Sequence, residues 1–572
     1  MPVNVFCVQR FPGAFAKRRI YVISYSDEVS LTVFARSNDK NYMKKLQRRD
    51  FIKISALGGI GILGHQTMKA NDSTRKAAPE LEETTVAELQ AAMKSGQTSA
   101  REITQKYLDR IKEIDGRLNS VIETNPDALK IADDLDRERK SGVIRGALHG
   151  IPILIKDNID TADKMKTTAG SLALVDAPTP KQDAFIVEQM RKAGAIILGK
   201  TNLSEWANFR SENSSSGWSG RGGQTHNPYV LDRNPCGSSS GTGAAIAANL
   251  AAIGIGTETD GSIVCPSSIN GLVGIKPTLG LVSRSGIIPI AHSQDTAGPM
   301  TRTVTDAAIL LGAIVGADKS DSATAQAAKG ERDYTKFLDK NGLQGARIGV
   351  ARQYFGRNTR VDGLLENQLT ILKNGGAILV DVQFPNLQKA GDPEFEVLLY
   401  EFKDGLNKYL ANRGGKYKTL ADLIKFNDDH KDKEMPYFGQ EIFIKAEAKG
   451  NLEAREYRLA LLQSKVFTQE QGIDAVMDKD KLDAVFAPSN SPTWLIDLVS
   501  GDCGSGYVGS SSLAAISGYP NITVPAGFLS ELPIGVSFFG RAFSEPTLIK
   551  IAYAFEQATK ARKSPKFLAT YR

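Results

Sequence analysis

Cysteine and histidine are scarce in this chain, and most metal and redox chemistry depends on them. Only four cysteines occur in 572 residues: Cys7, Cys236, Cys265 and Cys503. With Cys7 set aside in the N-terminal stretch, three remain, odd in number and widely spaced, so no disulfide framework is expected. Neither Cys-x-x-Cys nor His-x-x-x-His occurs, and the five histidines (65, 149, 226, 292 and 430) are scattered. A metal site is therefore not expected. Internal repeats are absent. The body of the chain also lacks an excess of charge of one sign. The formal net charge is +7, yet residues 1–70 alone carry twelve Lys/Arg against four Asp/Glu, which leaves a net of −1 on residues 71–572. This argues against nucleic acid as a partner of the body.

The basic N-terminus reads instead as a targeting segment. Met43-Lys-Lys-Leu-Gln-Arg-Arg-Asp-Phe-Ile-Lys53 precedes the apolar, glycine-rich run Ile54–Gly64. A basic patch before a short apolar stretch is a signal-peptide pattern, and Arg48-Arg49-Asp50-Phe51-Ile52-Lys53 resembles a twin-arginine export signal. The apolar run is too short for a comfortable membrane span. Residues 43–70 are thus expected to direct the protein to the periplasm or outside the cell, without a stable membrane anchor. Met43 is the expected start of translation, residues 1–42 are upstream sequence, and the polar residues 71–84 are a linker.

Thr85-Val-Ala-Glu88 and Ser99-Ala-Arg-Glu102 have the spacing of capping boxes, each opening a helix with apolar residues at helical period. Strands expected at 151–155, 195–198, 347–350, 377–382, 482–488, 521–525 and 534–540, with a strand then a turn over 271–278, alternate with helices at 183–193, 303–315, 362–374 and 546–562. Asp295-Thr-Ala-Gly-Pro-Met300 reads as the lead into the second of these helices. The alternation predicts an α/β fold around one sheet. Residues 395–476 read as a charged helical insertion, either a structural cap or a wall of a substrate site.

The chemistry concentrates in Asn234-Pro-Cys-Gly-Ser-Ser-Ser-Gly-Thr-Gly243 and Thr257-Glu-Thr-Asp-Gly-Ser262. Between them the apolar run 244–252 reads as a buried helix leading to a short strand. If that helix packs back on the sheet, Ser238 and Ser262 meet in space. Upstream, Pro152-Ile-Leu-Ile-Lys-Asp157 is an apolar strand ending in a lysine. Alone, a Gly/Ser loop is usually only a flexible turn, and a Lys-Asp pair usually a surface ion pair. The spaced set of three is the specific signal. A serine needs a base to become a nucleophile, and a lysine in an apolar setting can lose its proton and act as one. Ser239 and Ser240 suit the cap of the following helix.

These stretches resemble the amidase signature family, from about residue 85 to the C-terminus. The resemblance implies a large twisted mixed β-sheet covered by helices on both faces, with no cofactor. It implies Ser262 as nucleophile, Ser238 as the proton-passing serine that follows a cis peptide bond, and Lys156 as base. The backbone N–H groups of Thr259, Asp260, Gly261 and Ser262 match the family's oxyanion hole. The chain departs from the family pattern in carrying Glu258 where many members have Asp, Asp260 where they have Gly, and Val264 where they have an Arg that pairs with that Asp. Thr257 to Pro266, Ser510-Ser-Ser512, Gly518-Tyr-Pro520 and Phe538-Phe-Gly540 look like the bacterial peptide amidase subgroup. The expected partner is then a small-molecule or peptide amide, such as a C-terminal carboxamide. Three other readings compete. A glutaminase subunit of a tRNA-dependent amidotransferase conflicts with the export signal and the insertion. A non-catalytic binding protein on the same scaffold conflicts with the presence of all three side chains. A histidine-dependent serine hydrolase lacks a Gly-x-Ser-x-Gly elbow around Ser262.

Overall fold

Short apolar runs without polar alternation make the central strands, as in sheets buried on both faces; Pro152-Ile-Leu-Ile-Lys156 is buried at every position. The computed structural model describes residues 81–502 and 508–571 and the backbone of 5–7 and 21–23. The chain divides into two units, Met1–Arg75 and Lys76–Arg572. In the first, Val5–Cys7 pairs antiparallel with Tyr21–Ile23. The signal-like segment 43–70 and residues 71–80 of the expected linker lie outside the described residues.

The second unit is built on eleven strands: β1 (Val121–Thr124), β2 (Pro152–Lys156), β3 (Ile196–Thr201), β4 (Ile253–Glu258), β5 (Val273–Lys276), β6 (Thr296–Thr301), β7 (Arg347–Ala351), β8 (Ile378–Val382), β9 (Ala484–Pro488), β10 (Asn521–Leu529) and β11 (Leu532–Phe539). They form one mixed sheet in the order β8-β7-β9-β11-β10-β5-β6-β4-β2-β3-β1. The strand β2 runs parallel to both β3 and β4, whereas β6 runs antiparallel to β4. Residues 295–300, expected as a lead into a helix, do something else. Thr296–Thr301 is a strand paired on both sides, with β4 and β5, and the helix begins only at Val304.

Register decides where the site lies. Lys156 is opposite Thr201, Ile155 opposite Ile255, and Glu258 opposite Thr296. The carboxyl ends of β2, β3 and β4 therefore meet the start of β6, and ligands of α/β sheets bind outside such strand ends.

Helices α1 (Val86–Lys94) and α2 (Ala100–Ile114) start at the capping boxes of Thr85 and Ser99, as their spacing predicts. The chain just before them is also packed on this unit: Leu81 is buried and Glu83 accepts from Arg562 Nε at 2.7 Å. Helix α3 (Ser240–Ala247) is buried along its whole length and α4 (Val264–Ile269) follows Ser262. A side chain at Gly241 would run into the backbone of Ser120 and Asn202, so glycine permits the close approach of α3.

Helix α5 (Gly391–Arg413) opens the helical insertion, which continues through Leu420–Asp429, Glu441–Glu447 and Arg455–Lys465. It docks through aromatic packing, with the Phe402 ring 5.0 Å from that of Phe209 and the Phe443 ring 5.9 Å from that of Trp206. The Glu434 carboxylate adds a polar anchor, accepting from Leu172 N at 2.6 Å and Ser171 Oγ at 3.2 Å. Among the described residues no helix is long and apolar enough to cross a membrane.

Candidate active site

Lys156 ends β2 with no exposed surface. Its Nζ lies 2.7 Å from Ser238 Oγ, 3.0 Å from Thr257 Oγ1 and 3.3 Å from Thr257 O. Burial pulls its pKa down to about 7, against the opposing fields of Asp295 and Glu258. This geometry suits a neutral amine. Its two N–H bonds fit the two oxygens of Thr257, and its lone pair is left for the Ser238 hydroxyl. Asn158 Nδ2 donates to the same Thr257 Oγ1 at 2.9 Å and completes the cradle. Asp157 does not pair with Lys156; it faces Thr168 and Arg221.

Ser238 is fully buried and the Gly237–Ser238 peptide bond is cis. The two serine loops are joined by Ser239 N–H, which donates to Ser262 O at 3.2 Å. The expected capping by Ser239 and Ser240 does not occur. Ser239 Oγ donates to Thr257 O at 3.1 Å and accepts from Thr257 N at 3.2 Å, while Ser240 Oγ donates to Cys236 O at 2.6 Å. The Ser239 hydroxyl ties the loop to β4 and that of Ser240 closes the loop on itself, rather than either closing the helix end.

Cys236 and Cys265, expected to be unpaired, form a disulfide with Cα atoms 6.0 Å apart. Wide spacing in sequence is no obstacle once α3 folds back, because the loop before Ser238 then meets the first turn of α4. The odd cysteine count concealed the pair; Cys503 lies outside the described residues.

Gly261 turns the chain at φ +77°, a conformation that favours glycine. Among the described residues, the N–H groups of Asp260, Gly261 and Ser262 donate to no protein acceptor. Glu258 Oε2 takes up the next two, Ile263 N at 2.7 Å and Val264 N at 2.9 Å. Burial raises the Glu258 carboxyl and the charge of Lys276 acts against that. With valine at 264, the cation facing Glu258 is thus the buried Lys276 at the end of β5, itself brought down to about 8 by burial. Asp260 reaches across to Ser512, whose Oγ donates to its Oδ2 at 2.7 Å.

A 480 Å³ cleft opens over this turn, lined by Gly237, Asp260, Gly261, Trp494, Ser511 and Ser512. Behind the turn a smaller cavity of 180 Å³ is lined by Asn158, Thr257, Thr259 and Asp295 among others. Sequence reasoning missed several of these residues. Thr257 and Asn158 sit within or beside the quoted motifs, but nothing in their type marks them as partners of the lysine amine. Gln294 and Glu394 come from distant segments. Gln294 Nε2 donates to Thr259 O at 3.3 Å and to Glu394 Oε1 at 2.9 Å, so α5 is tied to the oxyanion turn through Gln294, while no residue of 395–476 lines either cavity. Among the described residues no group of three or more His, Cys, Asp or Glu could hold a metal ion.

Comparison with known proteins agrees with this architecture. The Amidase family model matches residues 102–549. The solved structure of the native peptide amidase from Stenotrophomonas maltophilia is 50% identical, with a TM-score of 0.81 over 85% of this chain and 99% of that one. A probable amidase of Arabidopsis thaliana is 42% identical over 501 residues, which are 86% of this chain and 92% of the relative. A glutamyl-tRNA(Gln) amidotransferase subunit from Thermoanaerobacter pseudethanolicus is 36% identical over 504 residues, 85% of this chain and 99% of the relative.

Proposed function

The chain belongs to the amidase signature family and is an amide-hydrolysing enzyme; from that premise we propose that it cleaves the C-terminal carboxamide of peptides through Ser262, Ser238 and Lys156. The observation that carries the triad is the 2.7 Å contact between the buried Lys156 amine and Ser238 Oγ. Neutral Lys156 takes the proton of Ser238 while Ser238 takes that of Ser262. The Ser262 oxygen adds to the amide carbonyl carbon, and the negative oxygen formed is met by the N–H groups of the 259–262 turn. Collapse breaks the C–N bond. The proton returns through Ser238 to the departing nitrogen, which leaves as ammonia from a primary amide. Water, activated by the same relay, then splits the acyl-enzyme.

The substrate assignment is supported by the similarity to peptide amidase, higher than that to the amidotransferase protein. Asp260 beside the oxyanion donors would repel a substrate ending in a free carboxylate. Export is supported by the Cys236–Cys265 disulfide, since such bonds persist mainly in oxidising compartments. The test is a panel of N-protected dipeptide amides, aryl and fatty amides, esters and glutamine, with ammonia or amine release measured. Ammonia should appear from the peptide amides without internal cleavage of the same peptides. Turnover of aryl or fatty amides with no ammonia from any peptide amide would defeat the substrate assignment. Ammonia from glutamine alone would favour the amidotransferase reading.

A further inference from the structure

Behind the oxyanion turn, Asp295 is held in an unusual way for a carboxylate so close to a reaction centre. It immediately precedes β6, and the pairing of Thr296 with Glu258 sets it beside Thr259. Thr259 Oγ1 donates to its Oδ1 at 2.5 Å, and the N–H groups of Ile290 and Ala291 donate to its Oδ2 at 2.8 and 2.9 Å. All three donors are neutral. The arginine on the same cavity, Arg284, is committed to Asp321, with Nε to Oδ2 at 2.8 Å. Asp295 shares the 180 Å³ cavity with Asn158 and Thr257, two residues of the Lys156 cradle. It therefore touches the backbone segment that supplies the oxyanion donors through one residue and looks onto the base through two others.

We propose that Asp295 is a positioning residue of the amidase reaction, fixing the Thr259 end of the oxyanion turn by its hydrogen bond and holding a negative charge behind the Lys156 base. The proposal rests on Lys156 being that base. Burial holds the carboxyl up at about 6, and its field favours the ammonium form of Lys156. Glu258 also faces Lys156, but it is opposed by Lys276 and binds the N–H groups of Ile263 and Val264. On the side of Asp295 stand Arg284 with its partner Asp321, and His292, which lies 3.4 Å from Glu401.

Two variants of the full-length enzyme separate the two roles, read as kcat/KM against pH under single-turnover conditions with a peptide amide. Asp295→Asn should move the midpoint of the rising limb down by about one pH unit, because the opposing charge is gone. Thr259→Val keeps the carboxyl but removes the hydrogen bond that helps hold it ionised; its plateau should fall about tenfold, with the midpoint moving down by less than in Asp295→Asn. A midpoint unmoved in Asp295→Asn, or a wild-type plateau in Thr259→Val, overturns the proposal. Should Asp295→Asn fail to fold, Thr259→Val still decides the positioning role. A wild-type profile with no ionisation near neutrality would sink the Lys156 reading itself, and the Asp295 proposal with it.

Discussion

Lys156 can act as a base only in the fraction of molecules that hold it neutral. Its amine has lost hydration at the buried end of β2, which favours the uncharged form, and its pKa falls to about 7. Accordingly kcat/KM should rise with pH through about 7 as the proton leaves, then level off. The unfolded chain keeps that proton up to about 10.4. The lysine's contribution to folding stability should therefore also rise with pH between about 7 and 10. Replacing Lys156 by methionine keeps the bulk and removes the base, so peptide amide hydrolysis should fall by about 10²–10⁴ without loss of fold. Ser262→Ala should fall by at least about 10⁴ and lose covalent labelling by a fluorophosphonate. Normal labelling of Ser262→Ala would place the nucleophile elsewhere.

At the scale of elements, the site is a meeting of two loops and one strand end. Helix α3 brings the loops together, and the Cys236–Cys265 disulfide ties the Ser238 loop to the helix that follows Ser262. Trp494 packs against the cluster of Cys236, Cys265 and Ile269. The bond closes a loop of sequence separation 29, for which the chain-entropy argument predicts about 3–4 kcal/mol of stabilisation. The double variant Cys236→Ser, Cys265→Ser should unfold at a lower urea concentration and hydrolyse amides more slowly. An unchanged urea midpoint and rate would show that α3 and the sheet hold the loops without the bond. None of this was readable from cysteine spacing. The capping boxes of α1 and α2 were, because each is a contact between residues three apart.

For the molecule as a whole, the place where the enzyme works is a matter for cell fractionation. Arg48 and Arg49 precede a short apolar run, and a disulfide beside the site suits an oxidising compartment. Replacing both arginines by lysine should hold the protein back in the cytoplasm, measured by fractionation and amidase assay. Normal yield in the periplasm would rule out the twin-arginine route. The same large scale governs the insertion. Its charged helices were legible as helices, but the tie of α5 to the oxyanion turn depends on Glu394 finding Gln294 across a separation of 100 residues, and helical periodicity carries no such information.

The sequence by itself determined the fold class, because runs such as Pro152-Ile-Leu-Ile-Lys156 and the capping boxes are dictated by local periodicity and local hydrogen bonding. It also determined the candidate triad, because the two Gly/Ser loops and the upstream lysine resemble the motif of the amidase signature family at matching positions. Only the tertiary structure decided the rest. Strand β6, interrupted by Gly298 and Pro299, exists because β4 and β5 pair with it on either side. The partners of Lys156, the cation facing Glu258, the disulfide and the place of Asp295 behind Thr259 all join residues far apart in the chain. Such contacts depend on strand order and register, and a one-residue slip would turn strand side chains such as Lys156 to the other face of the sheet.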